Sequence, residues 1–151
     1  MEARVEGEAL WITWRNPDLR ATYFMAGGML NMSAAATQFR FRARWKGRDW
    51  EVIDRSVPGV IGGRIDPWIV TLPHGAEYRF RIWLRELAII EEPPGGGRWW
   101  SLGSLSADEW ALEISFTAPE GFVPNTPYPR WAGRLTARVE FKPGGGKPAG
   151  K

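Results

Sequence analysis

From Phe39 the chain reads Phe-Arg-Phe-Arg-Ala-Arg-Trp-Lys, eight residues in which apolar and basic side chains alternate without a break. Successive side chains of a strand leave on opposite sides, whereas a helix would scatter this pattern around its circumference. The segment therefore reads as a strand with Phe39, Phe41, Ala43 and Trp45 in a core and Arg40, Arg42, Arg44 and Lys46 in water. The pattern returns from Tyr78, where Tyr78, Phe80, Ile82 and Leu84 face inward and Arg79, Arg81, Trp83 and Arg85 outward.

Weaker alternation predicts further strands at 9–15, 23–25, 29–33, 50–54, 67–72, 110–117 and 134–142. Composition agrees. Ten Trp, seven Phe and three Tyr stand among 18 Gly and 12 Pro, a mixture of strand formers and turn formers. Many short strands punctuated by Gly and Pro predict an all-β sandwich or barrel. The 151 residues suit one domain. We place it at 1–142 and read 143–151, Pro-Gly-Gly-Gly-Lys-Pro-Ala-Gly-Lys, as a flexible tail. Glu91-Glu-Pro-Pro-Gly-Gly-Gly-Arg-Trp-Trp reads as an irregular loop ending in two aromatics, and Ser106-Ala-Asp-Glu as a capping box opening one helical turn. No internal repeat is present.

Leu72-Pro-His-Gly-Ala-Glu-Tyr-Arg-Phe-Arg-Ile82 resembles the turn and sixth strand of a fibronectin type III module, with Tyr78 as its tyrosine corner. Leu10-Trp-Ile-Thr-Trp14 is similar to that family's second strand, and the Phe39 and Trp50 segments to its third and fourth, over roughly residues 8–86. The resemblance implies an immunoglobulin-like antiparallel sandwich, in which the third and sixth strands are neighbours. Arg40, Arg42 and Arg44 would then lie beside Arg79, Arg81 and Arg85. Residues 89–141 exceed one final strand and predict an extension of C-terminal strands.

Several chemistries are excluded by inventory. The chain has no Cys, which removes disulfides, thiolate metal sites and cysteine nucleophiles. Its one histidine, His74, stands beside Gly75 and reads as a turn residue without a nucleophile motif. Glu91 and Glu92 are adjacent on a Pro-rich loop, and Asp54 and Asp66 are scattered, so neither a glycosidase pair nor a metal site is expected. We expect no enzyme and no cofactor. The first residues lack the basic and apolar regions of a secretory leader, and no apolar run approaches the roughly 20 residues that span a bilayer, so no membrane association is expected.

Net charge is +3, yet residues 40–85 hold ten bases against five acids. Three readings of this arginine face stand side by side. Glu51, Glu113 and Glu140 on flanking strands interleave with it as a solvated ion-pair face; it docks an acidic protein surface; or it holds nucleic acid, for which no known motif is present. Trp14, Trp45, Trp68 and Trp110 are inward-phased or strand-start positions and predict core packing. Trp99 and Trp100, on opposite faces if extended, are the candidates for stacking on a sugar or a partner protein.

Small sandwiches of this kind resemble accessory proteins of virus particles. The leading expectation is a structural component of a bacteriophage capsid, neck or tail, self-assembling or bound to a larger shell, located in the virion or cytoplasm. A carbohydrate-binding module is the alternative. Sixteen Arg against four Lys suits a GC-rich or heat-adapted source.

Overall fold

The computed structural model describes residues 1–30, 33–56, 66–91, 98–105, 109–119, 125 and 127–142, with backbone alone at 29, 30, 33–37, 66, 90, 91, 98 and 99. The expected tail and the capping box at 106–108 lie outside the described residues, as does Glu92. Among the described residues twelve strands run in order: β1 (Glu2–Glu6), β2 (Ala9–Arg15), β3 (Thr22–Leu30), β4 (Ser33–Thr37), β5 (Phe39–Trp45) and β6 (Arg48–Asp54), then β7 (Asp66–Leu72), β8 (Glu77–Trp83), β9 (Leu87–Glu91), β10 (Arg98–Ser101), β11 (Trp110–Thr117) and β12 (Arg134–Phe141). Two single 3-10 turns, Leu84–Glu86 and Leu102–Ser104, follow β8 and β10.

The strands form three antiparallel sheets in the orders β1-β2-β8, β10-β9-β6-β5-β11-β12 and β4-β3-β7. The chain is an all-β sandwich. Alternation along β5 and β11 buries Phe39, Phe41, Ala43, Leu112, Ile114 and Phe116 on one face of the six-stranded sheet. Opposite them β2 and β8 contribute Leu10, Ile12, Trp14, Phe80 and Ile82. Trp14 joins the three sheets: its ring centroid is 4.6 Å from those of Phe24, Phe80 and Phe116. Burying so much aromatic surface away from water, rather than any polar contact, supplies the main driving force for this arrangement.

The C-terminal strands complete the same sandwich. β11 hydrogen-bonds to β5, and β12 to β11. Of the stretch expected as a loop from Glu91 to Trp100, both ends are strand, since β9 and β10 pair from Glu91–Arg98 to Ala88–Ser101, and residues 92–97 lie outside the described residues.

Candidate binding faces

The two arginine ladders do not meet. β5 is held between β6 and β11, whereas β8 pairs only with β2 among the described strands. Both strands turn their apolar residues into one shared core, where Phe39 and Phe80 meet edge to face at 5.2 Å. Their outward residues therefore leave from opposite surfaces of the sandwich, and the expected single face of six arginines is corrected to two separate faces. Arg85 belongs to neither strand: it sits in the 3-10 turn after β8. Tyr78 keeps the inward phase but lies at the rim, 36% exposed, its ring edge-on to Phe80 at 4.8 Å rather than folded back as a corner.

On the β5 face, register interleaves charge. Arg42 stands directly across from Glu51 on one side and Glu113 on the other, and Glu113 across from Arg138. Arg44 grips Asp49 with both arms, Nε to Oδ1 at 2.6 Å and a terminal nitrogen to Oδ2 at 2.9 Å. That hydrogen bond, with the nearby guanidinium charge, holds the Asp49 carboxyl below its ordinary pKa. Arg138 reaches Glu140 at 3.4 Å. Arg40 departs from the pattern, facing Ser115 and donating to its neighbour's carbonyl, Phe39 O, at 3.2 Å.

On the β8 face the pattern is aromatic as well as basic. Arg4, Trp11 and Arg81 lie in one row across β1, β2 and β8. The Arg81 guanidinium lies 4.6 Å from the ring centroid of Trp83 and 6.0 Å from that of Trp11, and Arg85 lies 5.1 Å from Trp83. Cations over indole faces are attracted by the ring quadrupole, and the stacking fixes long side chains that would otherwise be mobile. Arg15 bonds Glu77, which also accepts from Arg79 at 3.4 Å, so the charges at the far end of this face are paired. The same contacts depress the Glu77 pKa, the hydrogen bond from Arg15 foremost.

Sequence reasoning missed Trp11 and Arg4 as members of this face. The period-two pattern of Glu-Ala-Arg-Val-Glu was present in β1, but its inward residues Ala3 and Val5 are too small to stand out.

Trp100 is 45% exposed on the edge strand β10; the Trp99 backbone pairs with Ile90, and its side chain lies outside the described residues. The core assignments hold for Trp14 and Trp110, buried, and for Trp45 and Trp68, partly buried against the core. His74 is a turn residue with Nδ1 2.8 Å from Asp18 O. Among the described residues no group of three or more His, Asp or Glu is placed to hold a metal ion, and no helix is long and apolar enough to cross a membrane. No family model, curated protein or solved structure matches this chain.

Proposed function

We propose that the protein is a non-catalytic interaction component that builds or joins a larger protein assembly, of the kind that decorates or connects bacteriophage capsids and tails. The observation that carries this reading is the outward cluster of Trp11, Arg81 and Trp83 on the β1-β2-β8 sheet, joined by Arg85 from the 3-10 turn that follows β8. Trp and Arg dominate the residues whose truncation most weakens protein interfaces, because they combine large contact area with directed donors. Here they are stacked in advance, so little side-chain freedom is left to lose on docking. An immunoglobulin-like type is supported by strand order: β1-β2-β8 and β12-β11-β5-β6 match the two sheets of such a sandwich, with β8 as the strand beside the second rather than the sixth.

Light scattering on a sizing column is the test. We expect a defined oligomer that Arg81→Glu converts to monomer with an unchanged melting temperature. A monomer at low and high salt overturns self-assembly.

Exposure of Trp100 favours one second reading, stacking on a polysaccharide. Tryptophan emission that responds to a polysaccharide panel, and ceases to in Trp100→Ala, supports it; no response removes it.

A further inference from the structure

We propose that the end of the β5 face between Arg40 and Arg134 binds a small, doubly charged tetrahedral oxyanion, free phosphate being the simplest. The charge alternation described above stops at this end. Arg42 and Arg138 have acids directly across from them, and Arg44 has Asp49. One row on, Arg40 faces Ser115, and Ser115 faces Thr136 on its other side. A further row on, Arg134 faces Thr117. In the register of the described strands no carboxylate stands across from either arginine, and the pairing of β5 with β6 ends one residue short of Arg40, at Phe41–Val52.

Arg40 and Arg134 line one open groove of about 430 Å³ together with Arg42, Ser115 and Thr117. The two acids that also line it, Glu51 and Glu113, belong to the Arg42 row and flank that guanidinium. Three guanidiniums against two carboxylates leave the groove positive, with the surplus at the hydroxyl end. Arg40 commits one N–H to Phe39 O, which anchors its head near the strand and leaves its other donors for a ligand.

The donor set selects among anions. A guanidinium presents a planar fork that pairs two oxygens of one ligand. A carboxylate has two oxygens and one charge, enough for one fork. A tetrahedral dianion has oxygens for both forks and for the Ser115 and Thr117 hydroxyls, and neutralises both arginines. The site lies on the opposite surface from the Trp11–Arg81 row, so it stands or falls independently of the assembly reading.

The experiment is a titration of the full chain with sodium phosphate, at ionic strength held constant with chloride, followed by nitrogen–proton correlation spectra. We expect saturable shifts at the Ser115 and Thr117 amides and the Arg40 and Arg134 Nε–H groups. Arg40→Gln combined with Arg134→Gln should weaken binding at least about tenfold, the loss expected when charge-assisted donors are removed. Arg44→Gln, whose guanidinium is occupied by Asp49, should leave the affinity unchanged. Arg134→Gln alone, on the edge strand β12, serves if the double variant does not fold. Shifts that do not saturate, or that survive the double variant, overturn the site. Equal weakening by Arg44→Gln overturns it in favour of diffuse charge. Acetate binding as tightly as phosphate overturns the tetrahedral assignment. Single-stranded DNA binding far more tightly through the same arginines overturns the small-anion assignment.

Discussion

The indole of Trp45, at the end of β5, lies flat against that of Trp110, which opens β11, with centroids 5.2 Å apart and planes 7° from parallel. Trp110 is buried; Trp45 is partly buried and has the Lys46 ammonium 4.4 Å from its ring centroid. The stack closes one end of the core beside Phe141, which pairs with Trp110. Trp110→Ala should destabilise the domain by about 4 kcal/mol through lost burial and a residual cavity. Trp45→Ala should cost less, because part of its ring already meets water. A double-mutant cycle read by urea unfolding should give a coupling of about 1 kcal/mol for the stacked geometry. Strict additivity would mean that the rings contribute only their separate burial.

Asn16 is a hub of a different kind, a buried polar residue that ties its own loop between β2 and β3 to the turn between β7 and β8. Its Nδ2 donates to Leu72 O and Arg20 O, each at 2.9 Å, and its Oδ1 accepts the Asp18 N–H at 3.1 Å. Its own N–H and carbonyl pair with Ala76 O and the Gly75 N–H. An aspartate has the same shape and no donor, so Asn16→Asp leaves the Arg20 and Leu72 carbonyls, and that of Pro73 at 3.4 Å, without this partner and brings a charge into a buried site. Each loss of that type costs about 1–3 kcal/mol. The variant should melt well below the parent and exchange the Gly75 and Ala76 amides faster. A melting temperature within a degree or two of the parent, an amount about half a kcal/mol would produce, would show the network to be dispensable.

How far the sequence reveals this molecule depends on whether a feature is local. β2 and β11 end at the residues their alternation implies, because each buries one face and wets the other, whereas β5 stops one residue before the alternation does, with Lys46 in the turn at φ 47°. β4 reads Ser-Ala-Ala-Ala-Thr and offers no polar contrast to detect. β9, Leu-Ala-Ile-Ile-Glu, has Leu87, Ala88 and Ile89 all buried, so its pattern is a continuous apolar run. Neighbours in a sheet are not written in any one strand. The arginines of β5 and β8 look alike along the chain, and only long-range pairing sends them to opposite surfaces and sets Trp11 beside Arg81. The acids that interleave with Arg42 were readable as candidates; which rows they occupy, and therefore which arginine is left over, required the register.

Acid titration should reveal the exposed ion pairs. Asp49 and Glu77 have folded-state pKa values below their ordinary ones, mainly through hydrogen bonds from Arg44 and Arg15. A lowered carboxylate pKa contributes stability that is fully present above the unfolded value, about pH 4, and disappears as pH falls through the folded value. The melting temperature should therefore fall in acid below about pH 4, and less steeply in an Asp49→Asn, Glu77→Gln double variant. Because both pairs are solvent-exposed, salt at about 0.5 M should shrink the difference between parent and variant. Identical acid profiles for the two proteins would assign the acid loss to other groups.

Two glycines are needed for separable reasons. Gly47 follows Lys46 in the turn between β5 and β6, with φ of 78° and 47° respectively, and a Cβ at Gly47 would meet nothing within 4 Å. Its requirement is conformational, a left-handed backbone, which Asn tolerates better than other side chains. Gly103 lies in the 3-10 turn 102–104, where a Cβ would come within 3.1 Å of Arg85 N and 3.3 Å of Arg85 Cα. Its requirement is space against backbone that cannot swing away, and Ser101 holds the two turns together by accepting the Gly103 N–H at 3.2 Å and donating to Arg85 O at 3.0 Å. Asn at each position distinguishes the two causes. Gly47→Asn should change stability by well under about 1 kcal/mol, whereas Gly103→Asn should destabilise by about 1–3 kcal/mol, as overpacking does. Thermal unfolding of the two variants reads the contrast directly. The reverse order would mean that the 3-10 turns separate easily and that strain at the Lys46–Gly47 turn is the stricter constraint.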